Sequence, residues 1–555
     1  MKKKSAMYLA FLVSGCLLFS ACGDSRSGKE NKGADGAENP SPIAEAPDSS
    51  MYLKIADEEA DTFDPQCTST YYTVPLNIFD RLVEVESDPE NHSSQIVPSL
   101  ADSWEISDDG LVYTFELHPG VTYSNGSPLT SEDVEYTFTR LLTYPEAVNQ
   151  DFAIGILGAH DLHNGDTDTL EGFKVIDDEH FSITLEQPYA AFLAGLSTPG
   201  ASILDKETTT EAGELFGTDP SCTIGTGPFI LDEVVPSSHI LLSANRNCWS
   251  GPPLSAGIRI NLVEDGETLR LMFSEGQLDI LDLETLGNEA EFFVHGDTYQ
   301  EQLVQGMRVG INYVALNQSI APLDNVKVRK AMQMGLNRRT ILQAACSGRG
   351  EIENGIFPHG LIGFNPDLDE IPYDPEEARR LLAEAGYPDG FSLDFSMSES
   401  ISSETKDLVG IIADMWSRIG INVHVYELDE DSFMTLRKGG SIACYVSSWS
   451  ADFNDPDNFI YTFFGSRENS RNRSLCLEDD ELIDRVYNAR AIVSEEERIA
   501  EYQELEKILI QDMACWVPLF SQQHIFALNS RVEGFQVSWN GWSSNSYRNV
   551  SIKQS

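Results

Sequence analysis

Apolar positions recur with two periods along this chain, and the period changes with position. Ser103-Trp104-Glu105-Ile106 and Leu111-Val112-Tyr113-Thr114-Phe115-Glu116-Leu117 flank the turn Asp108-Asp109-Gly110, which predicts a β-hairpin. Thr130 precedes Glu132, Asp133 and a stripe of Val134, Phe138, Leu141 and Leu142, the pattern of an N-capped helix. Further on the helical period dominates. Residues 324–345 carry Val328, Ala331, Met332 and Leu336 on one face and read as one helix. Asp374-Pro375-Glu376-Glu377 starts another, with stripe Ala378, Leu381, Leu382 and Ala385 and Gly386 placed to end it. A strand over 391–395, a helix carrying Leu408, Ile411, Ile412, Met415 and Ile419 closed by Gly420, and alternating Ile421, Val423 and Val425 make a strand–helix–strand unit. Ser494 and Glu497 have capping-box spacing ahead of Ile499, Tyr502, Leu509 and Met513. Trp516-Val517-Pro518-Leu519-Phe520 returns to strand.

The first half is therefore strand-rich, residues 315–512 alternate helix and strand, and the tail is strand-rich again. This order predicts an α/β protein in which one lobe, residues 51–314, is interrupted by a second, residues 315–512, and completed by 513–555. With 555 residues the chain can bury cores of that number, and 41% hydrophobic with 10% aromatic residues is a globular composition. No internal repeat and no coiled-coil heptad appears.

The N-terminus follows different rules. Lys2, Lys3 and Lys4 precede an apolar stretch from Ala6 to Phe19, which ends in Ser20-Ala21-Cys22-Gly23. A basic start, a short apolar run and small residues describe a signal peptide over 1–21 rather than a membrane span. Cysteine after Ser-Ala resembles the bacterial lipobox, in which that cysteine carries a diacylglycerol, although Phe19 replaces the usual leucine. Cys16 is a second candidate, but Leu17-Leu18-Phe19 is a poor start for a soluble tether; cleavage without lipid is the third reading. Residues 22–50 are polar and acidic and read as a flexible tether reaching on the order of 30 Å. No later apolar run is long enough to cross a bilayer, so the expected location is the outer face of a cell membrane, facing the periplasm if the cell has an outer membrane.

Charge and cysteines narrow the functions. A net charge of −52 excludes nucleic acid as a partner. Seven cysteines follow Cys22, an odd number without CxxC spacing; Cys222 with Cys248 is the one disulfide the sequence suggests. The search for an enzyme fails. Gly225-Thr226-Gly227-Pro228 lacks the Lys-Ser/Thr of a phosphate loop and reads as a turn. There is no Gly-x-Ser-x-Gly elbow. His160 and His163 have a spacing that suits zinc on a helix, yet no third ligand is near, and exposed loop histidines are the better reading. No metal or cofactor is expected. One segment, residues 447–459, places Trp449 three positions before Asp452, with Ser450 and Ala451 between, ahead of Asn454-Asp455-Pro456-Asp457. A carboxylate beside an indole face suits an ammonium group, although alone the segment reads as turn chemistry.

Ordered blocks add to this. Thr62-Phe63-Asp64-Pro65, Phe79-Asp80-Arg81-Leu82-Val83-Glu84, Pro98 to Leu142, Gly225-Thr226-Gly227-Pro228-Phe229, Ala315-Leu316-Asn317, Pro322 to Ala331 and Trp449 to Phe459 occur in sequence. Together they resemble solute-binding protein family 5, the oligopeptide- and dipeptide-binding proteins of ABC importers, over roughly 60–540. The resemblance implies a two-lobed Venus-flytrap clamp of the large cluster, with an extra subdomain in lobe 1 and crossovers near 310–320 and 510–520. It implies that Asp452 binds a peptide ammonium with Trp449 beside it, that Tyr71 and Tyr72 line the pocket from the other lobe, and that a monomer delivers solute to a permease and ATPase. Ser448 stands where the family commonly has glycine. The same resemblance leaves open a nickel chelate, an oligosaccharide or a peptide pheromone as ligand.

Overall fold

The computed structural model describes residues 51–553, apart from 69–70, 89–92, 149, 151, 297 and 539–544. The signal peptide, Cys22 and the tether lie outside the described residues.

Tyr52–Asp57 pairs in parallel with Gly257–Leu262, which continues antiparallel through His239–Ala244 to Phe229–Val235. A second sheet contains the predicted hairpin: Ala101–Ile106 against Val112–Leu117, then His180–Thr184 and Phe173–Val175. Its core stacks Phe115, Phe181 and Phe173 at centroid separations of 5.1 and 5.2 Å. The helix Ser131–Thr143 covers it, capped by Thr130, whose backbone N–H and side chain both meet Asp133.

The strand Trp516–Leu528 joins two neighbourhoods. Its first residues pair with Gly310–Leu316, which also pairs with Cys444–Ser450; its last residues pair with Ile280–Asp282 and Leu303–Met307. Accordingly Trp516, Val517, Leu519 and Phe520 pack among residues of 309–510, whereas Phe526, Phe535, Tyr547 and Ile552 pack with Leu53, Phe79 and Ile258. The apolar run is buried on both faces, as expected of an interior strand.

The strand–helix–strand unit forms as read. Phe391–Ser398 and Ile421–Leu428 are parallel, with helix Ser403–Ser417 as crossover. Gly420 takes φ 97°, where a side chain would be strained. Asp374 accepts the N–H groups of Glu376 and Glu377 and starts Pro375–Glu384.

Three expectations change. Residues 324–345 form two helices, Val326–Met334 and Arg338–Cys346. Gly335 packs against Trp416 and Ile419, and the Asn337 side chain accepts the Thr340 N–H to restart the helix. Cys222 and Cys248 are not joined: all seven described cysteines are free, with Cys222 beside the Asp219 carbonyl and Cys248 beside that of Thr226. His160 and His163 sit on a short helix, Ala159–Asn164, and His163 Nδ1 lies 2.8 Å from the Leu142 carbonyl oxygen.

The ordered blocks act as ties between distant segments. Asp64 pairs with Arg140 at 2.6 Å in the interior. Asp80 accepts from Thr226 Oγ1 and Trp249 Nε1. Gly225 packs so closely on the Ile78 carbonyl that a Cβ would overlap it. Asn317 donates to the carbonyls of Gly440 and Ile442, and Arg329 to that of Met513.

Candidate ligand-binding site

A cavity of about 390 Å³ lies between segments distant in sequence. Tyr72, Phe152 and Tyr189 face it from the first half; Trp449, Asp452, Asp457, Arg473 and Arg490 face it from residues 449–490.

The second wall is built outward from strand Cys444–Ser450, where Ile311 opposes Trp449 in the ladder. After the strand, Asn458 shapes the loop: its Oδ1 accepts the Asp452 N–H at 2.9 Å, its Nδ2 donates to Asp452 Oδ2 at 3.0 Å, and its carbonyl accepts from Trp449 Nε1 at 3.0 Å. One asparagine thus fixes both the carboxylate and the indole. Trp449 packs edge-to-face on Phe463 at 5.5 Å.

Two buried ion pairs hold this loop. Asp455 Oδ1 accepts from Arg498 at 2.7 Å and from the Asp457 N–H. Burial raises the Asp455 carboxyl above its ordinary value, opposed by Arg498. Asp457 accepts from the hydroxyls of Tyr502 and Tyr189, both at 2.9 Å, and lies 3.1 Å from Arg490 Nε. Arg490 stands over the rings of Tyr461 at 3.7 Å and Tyr189 at 4.2 Å. Burial disfavours its charge, but Asp457 outweighs that and holds its pKa above the usual value. Burial likewise pushes Tyr189 well above the ordinary tyrosine range. Tyr189 comes from the first half, so this network crosses the cavity. Arg473 lies over Trp449 at 5.4 Å and Phe463 at 4.9 Å.

Of the residues singled out by sequence, Trp449, Asp452 and Tyr72 come together on the wall. Tyr71 does not. Its hydroxyl donates to Glu58 at 2.6 Å, and its ring borders a separate crevice with Phe63 and Val74. Ser450 opposes Gly310 in the ladder, and Ala451 is buried, its N–H on the Val309 carbonyl; neither lines the cavity. Phe152, Tyr189, Arg473 and Arg490 are additions. No local pattern marks them, because their neighbours on the wall are far away in sequence. Asp457 lies within the segment read as turn chemistry; its use as a buried anion depends on Arg490 and two tyrosines that no spacing rule connects.

Among the described residues, Asp282, Glu284 and His524 lie close enough to share a cation. Their donors are already spent. His524 Nε2 is 2.9 Å from Asp282, while Glu284 accepts from Arg308 at 2.6 Å and Gln522 at 2.8 Å. His524 Nδ1 has no partner, whereas a metal-bound histidine almost always donates from its other nitrogen. The trio reads as an ion-pair network.

Chemically, the cavity wall offers a carboxylate beside an indole, a guanidinium stacked on rings and a closed ion pair. Such features suit a small charged solute, and among the described residues of the wall none is a nucleophile with an adjacent base.

Comparison with known proteins agrees. The model of bacterial extracellular solute-binding proteins, family 5, matches residues 95–471. Heme-binding protein A of Haemophilus influenzae is 30% identical over 84% of this chain and 86% of its own. The dipeptide-binding protein of Escherichia coli is 26% identical over 88% of this chain and 92% of its own. The solved structure of HbpA2 from Haemophilus parasuis superposes with a TM-score of 0.74 at 25% identity, covering 91% of this chain and all of that one. Solved relatives share the two-lobed α/β clamp. The family match spans most of the chain, and the chain belongs to the bacterial extracellular solute-binding proteins of family 5.

Proposed function

We propose that this protein captures peptides outside the cytoplasm and delivers them to the permease and ATPase of an ABC importer. The observation that carries the reading is Asp452, fixed by Asn458 beside the Trp449 indole on a cavity wall. This geometry receives an α-ammonium by charge-assisted hydrogen bonding and cation–π attraction. A dipeptide-binding relative matching nearly the whole chain supports it. In this reading residues 51–314 and 513–555 form one lobe and 315–512 the other, the crossovers lie near 310–320 and 510–520, and the monomer is tethered to the membrane by lipid on Cys22 through residues 22–50.

Calorimetry with free and N-acetylated dipeptides tests the site. Asp452→Ala should weaken free-amine peptides by about tenfold or more, and N-acetylation should cost the wild type as much. Asp452→Ala binding free-amine peptides as tightly as wild type rejects the assignment.

The heme-binding relative favours a second reading, a tetrapyrrole solute. Among the described residues of the wall there is no histidine, cysteine or methionine to serve as axial ligand. A Soret band on titration with hemin, absent with peptides bound, would support it.

A further inference from the structure

We infer that the protein holds a second ligand site, on the opposite face of the strands that join the proposed lobes, and that this site takes a small arylalkyl- or alkylammonium monocation whose binding tightens peptide capture. The site is independent of the peptide reading; its effect on capture rests on that reading and on the lobe division proposed with it.

A second cavity, of about 430 Å³, lies between residues 283–294 on one side and residues 345–349 and 402–408 on the other, with Asn312, Phe520 and Gln522 between them. That volume is within the range of ligand pockets, roughly 300 to 1,000 Å³. Successive side chains of a strand point to opposite faces of its sheet. In Gly310–Leu316, Ile311 opposes Trp449 and packs with Tyr313 and Trp516 in one core, whereas Val314 and Leu316 pack with Phe520 in another. Trp449 lines the first cavity, and Asn312 and Phe520 line the second. The two cavities therefore lie on opposite faces of the strands that run between the proposed lobes.

The lining sets the ligand's chemistry. Its charged side chains are Glu284, Arg349 and Glu404. Glu284 is met by Arg308 at 2.6 Å, and Arg349 lies 3.9 Å from Glu291. Among the described residues no lysine, arginine or histidine pairs with Glu404, which is half-buried on the wall. Its Oε1 would stand only 3.9 Å from a Cβ on Gly287, so this carboxylate reaches across to the opposite wall. An ammonium group offsets that charge by a charge-assisted hydrogen bond, and Arg349 disfavours a second positive charge. Leu283, Val294, Leu408 and Ile525 offer an apolar body its contact surface. The chain's net charge of −52 attracts cations at long range.

Position sets the effect. Tyr189 bonds Asp457 across the first cavity at 2.9 Å while the second keeps its volume. Ser347 Oγ donates to Glu291 Oε1 at 3.2 Å, and Gln522 Nε2 to Glu284 Oε1 at 2.8 Å, which ties the walls of the second cavity in this same state. Rotation of the lobes about the joining strands changes the spacing of both pairs of walls at once. A cation bridging residues 283–294 and 402–408 stabilises the arrangement in which the first cavity is spanned, and the coupling is reciprocal.

Calorimetry with 2-phenylethylamine, the neutral 2-phenylethanol and the anion 3-phenylpropionate tests the site, using wild type, Asp452→Ala, Glu404→Gln and Ala290→Leu, whose larger side chain fills the cavity. The amine should bind wild type and Asp452→Ala alike, and the alcohol and the anion should bind about tenfold or more weaker. Glu404→Gln should cost the amine a similar factor, and Ala290→Leu should weaken it too. Saturating amine should raise the affinity for Ala-Phe about fivefold or more, and Ala-Phe should raise that for the amine by the same factor. Amine and alcohol binding wild type equally well overturns the inference and needs no variant, as does an amine that does not bind. An amine that competes with Ala-Phe, or loses affinity in Asp452→Ala, occupies the first cavity and also overturns it. Unchanged Ala-Phe affinity at saturating amine overturns the coupling. Failure of every peptide on wild type sinks the peptide reading, while amine binding to Asp452→Ala still supports the second site.

Discussion

Removing one hydroxyl should loosen the clamp without touching Asp452. Tyr189 comes from the first half of the chain and donates to Asp457 Oδ2 at 2.9 Å, across the cavity. A buried hydrogen bond to a charged acceptor is worth about 1.5–3 kcal/mol. In Tyr189→Phe, Asp457 keeps Tyr502 and Arg490, and the ring keeps its contact with Arg490, so the cost falls at the low end, about 1.5 kcal/mol. That energy shifts an open–closed equilibrium about tenfold toward open. Where the unliganded protein is mostly open and the liganded protein mostly closed, apparent affinity falls by the same factor for every solute, because the bond lost joins two segments of the cavity wall and not the wall to the ligand. Calorimetry over several chemically distinct peptides reads the factor, and small-angle scattering of the liganded protein reads the opening. Unchanged affinity refutes the reasoning, as does weakening that varies widely between ligands, which would make Tyr189 a ligand contact.

Glu506 supplies a pH prediction. Burial raises its carboxyl to about 8, against the lowering effect of the Phe357 and Ile356 N–H groups. A folded-state value raised above the unfolded one favours the protonated fold, so this group's contribution is intact below about pH 4.5 and is lost as pH climbs toward 8. Glu506→Gln should therefore flatten the fall in melting temperature between pH 5 and 8 and be more stable than wild type at pH 8; parallel curves would contradict it. Gly225→Ala should destabilise by about 2–3 kcal/mol in denaturant titration, because its Cβ overlaps the Ile78 carbonyl. Alkylation under denaturing, non-reducing conditions should modify all seven cysteines after Cys22; a pair left unmodified would show a disulfide the structure lacks.

Much of the fold was legible because its signals are local. Thr130 and Asp374 cap helices where the sequence places them, and Gly386 and Gly420 end them in left-handed backbone. The break at Gly335 was hidden because Trp416 and Ile419, more than eighty residues on, press against that glycine. The site divides the same way. Trp449 and Asp452 stand in one short segment that alone reads as turn chemistry, and the ordered blocks around it single the pair out. Tyr71 and Tyr72 are adjacent, yet successive side chains diverge, and only Tyr72 reaches the wall. Arg473, Arg490 and Tyr189 acquire meaning only once segments separated in sequence meet on the cavity wall, so no periodicity could select them from other arginines and tyrosines. The cysteine pairing was read from proximity in sequence; in the fold each thiol faces a different carbonyl.

The central claim is that Asp452 on the wall reads a peptide amine. Native mass spectrometry of the purified protein with an equimolar mixture of dipeptides and their N-acetyl counterparts tests it most directly. The account predicts adducts of the free-amine peptides and almost none of the acetylated ones, with that preference lost in Asp452→Ala. Equal adducts of both sets on the wild-type protein, or no peptide adduct at all, would contradict it.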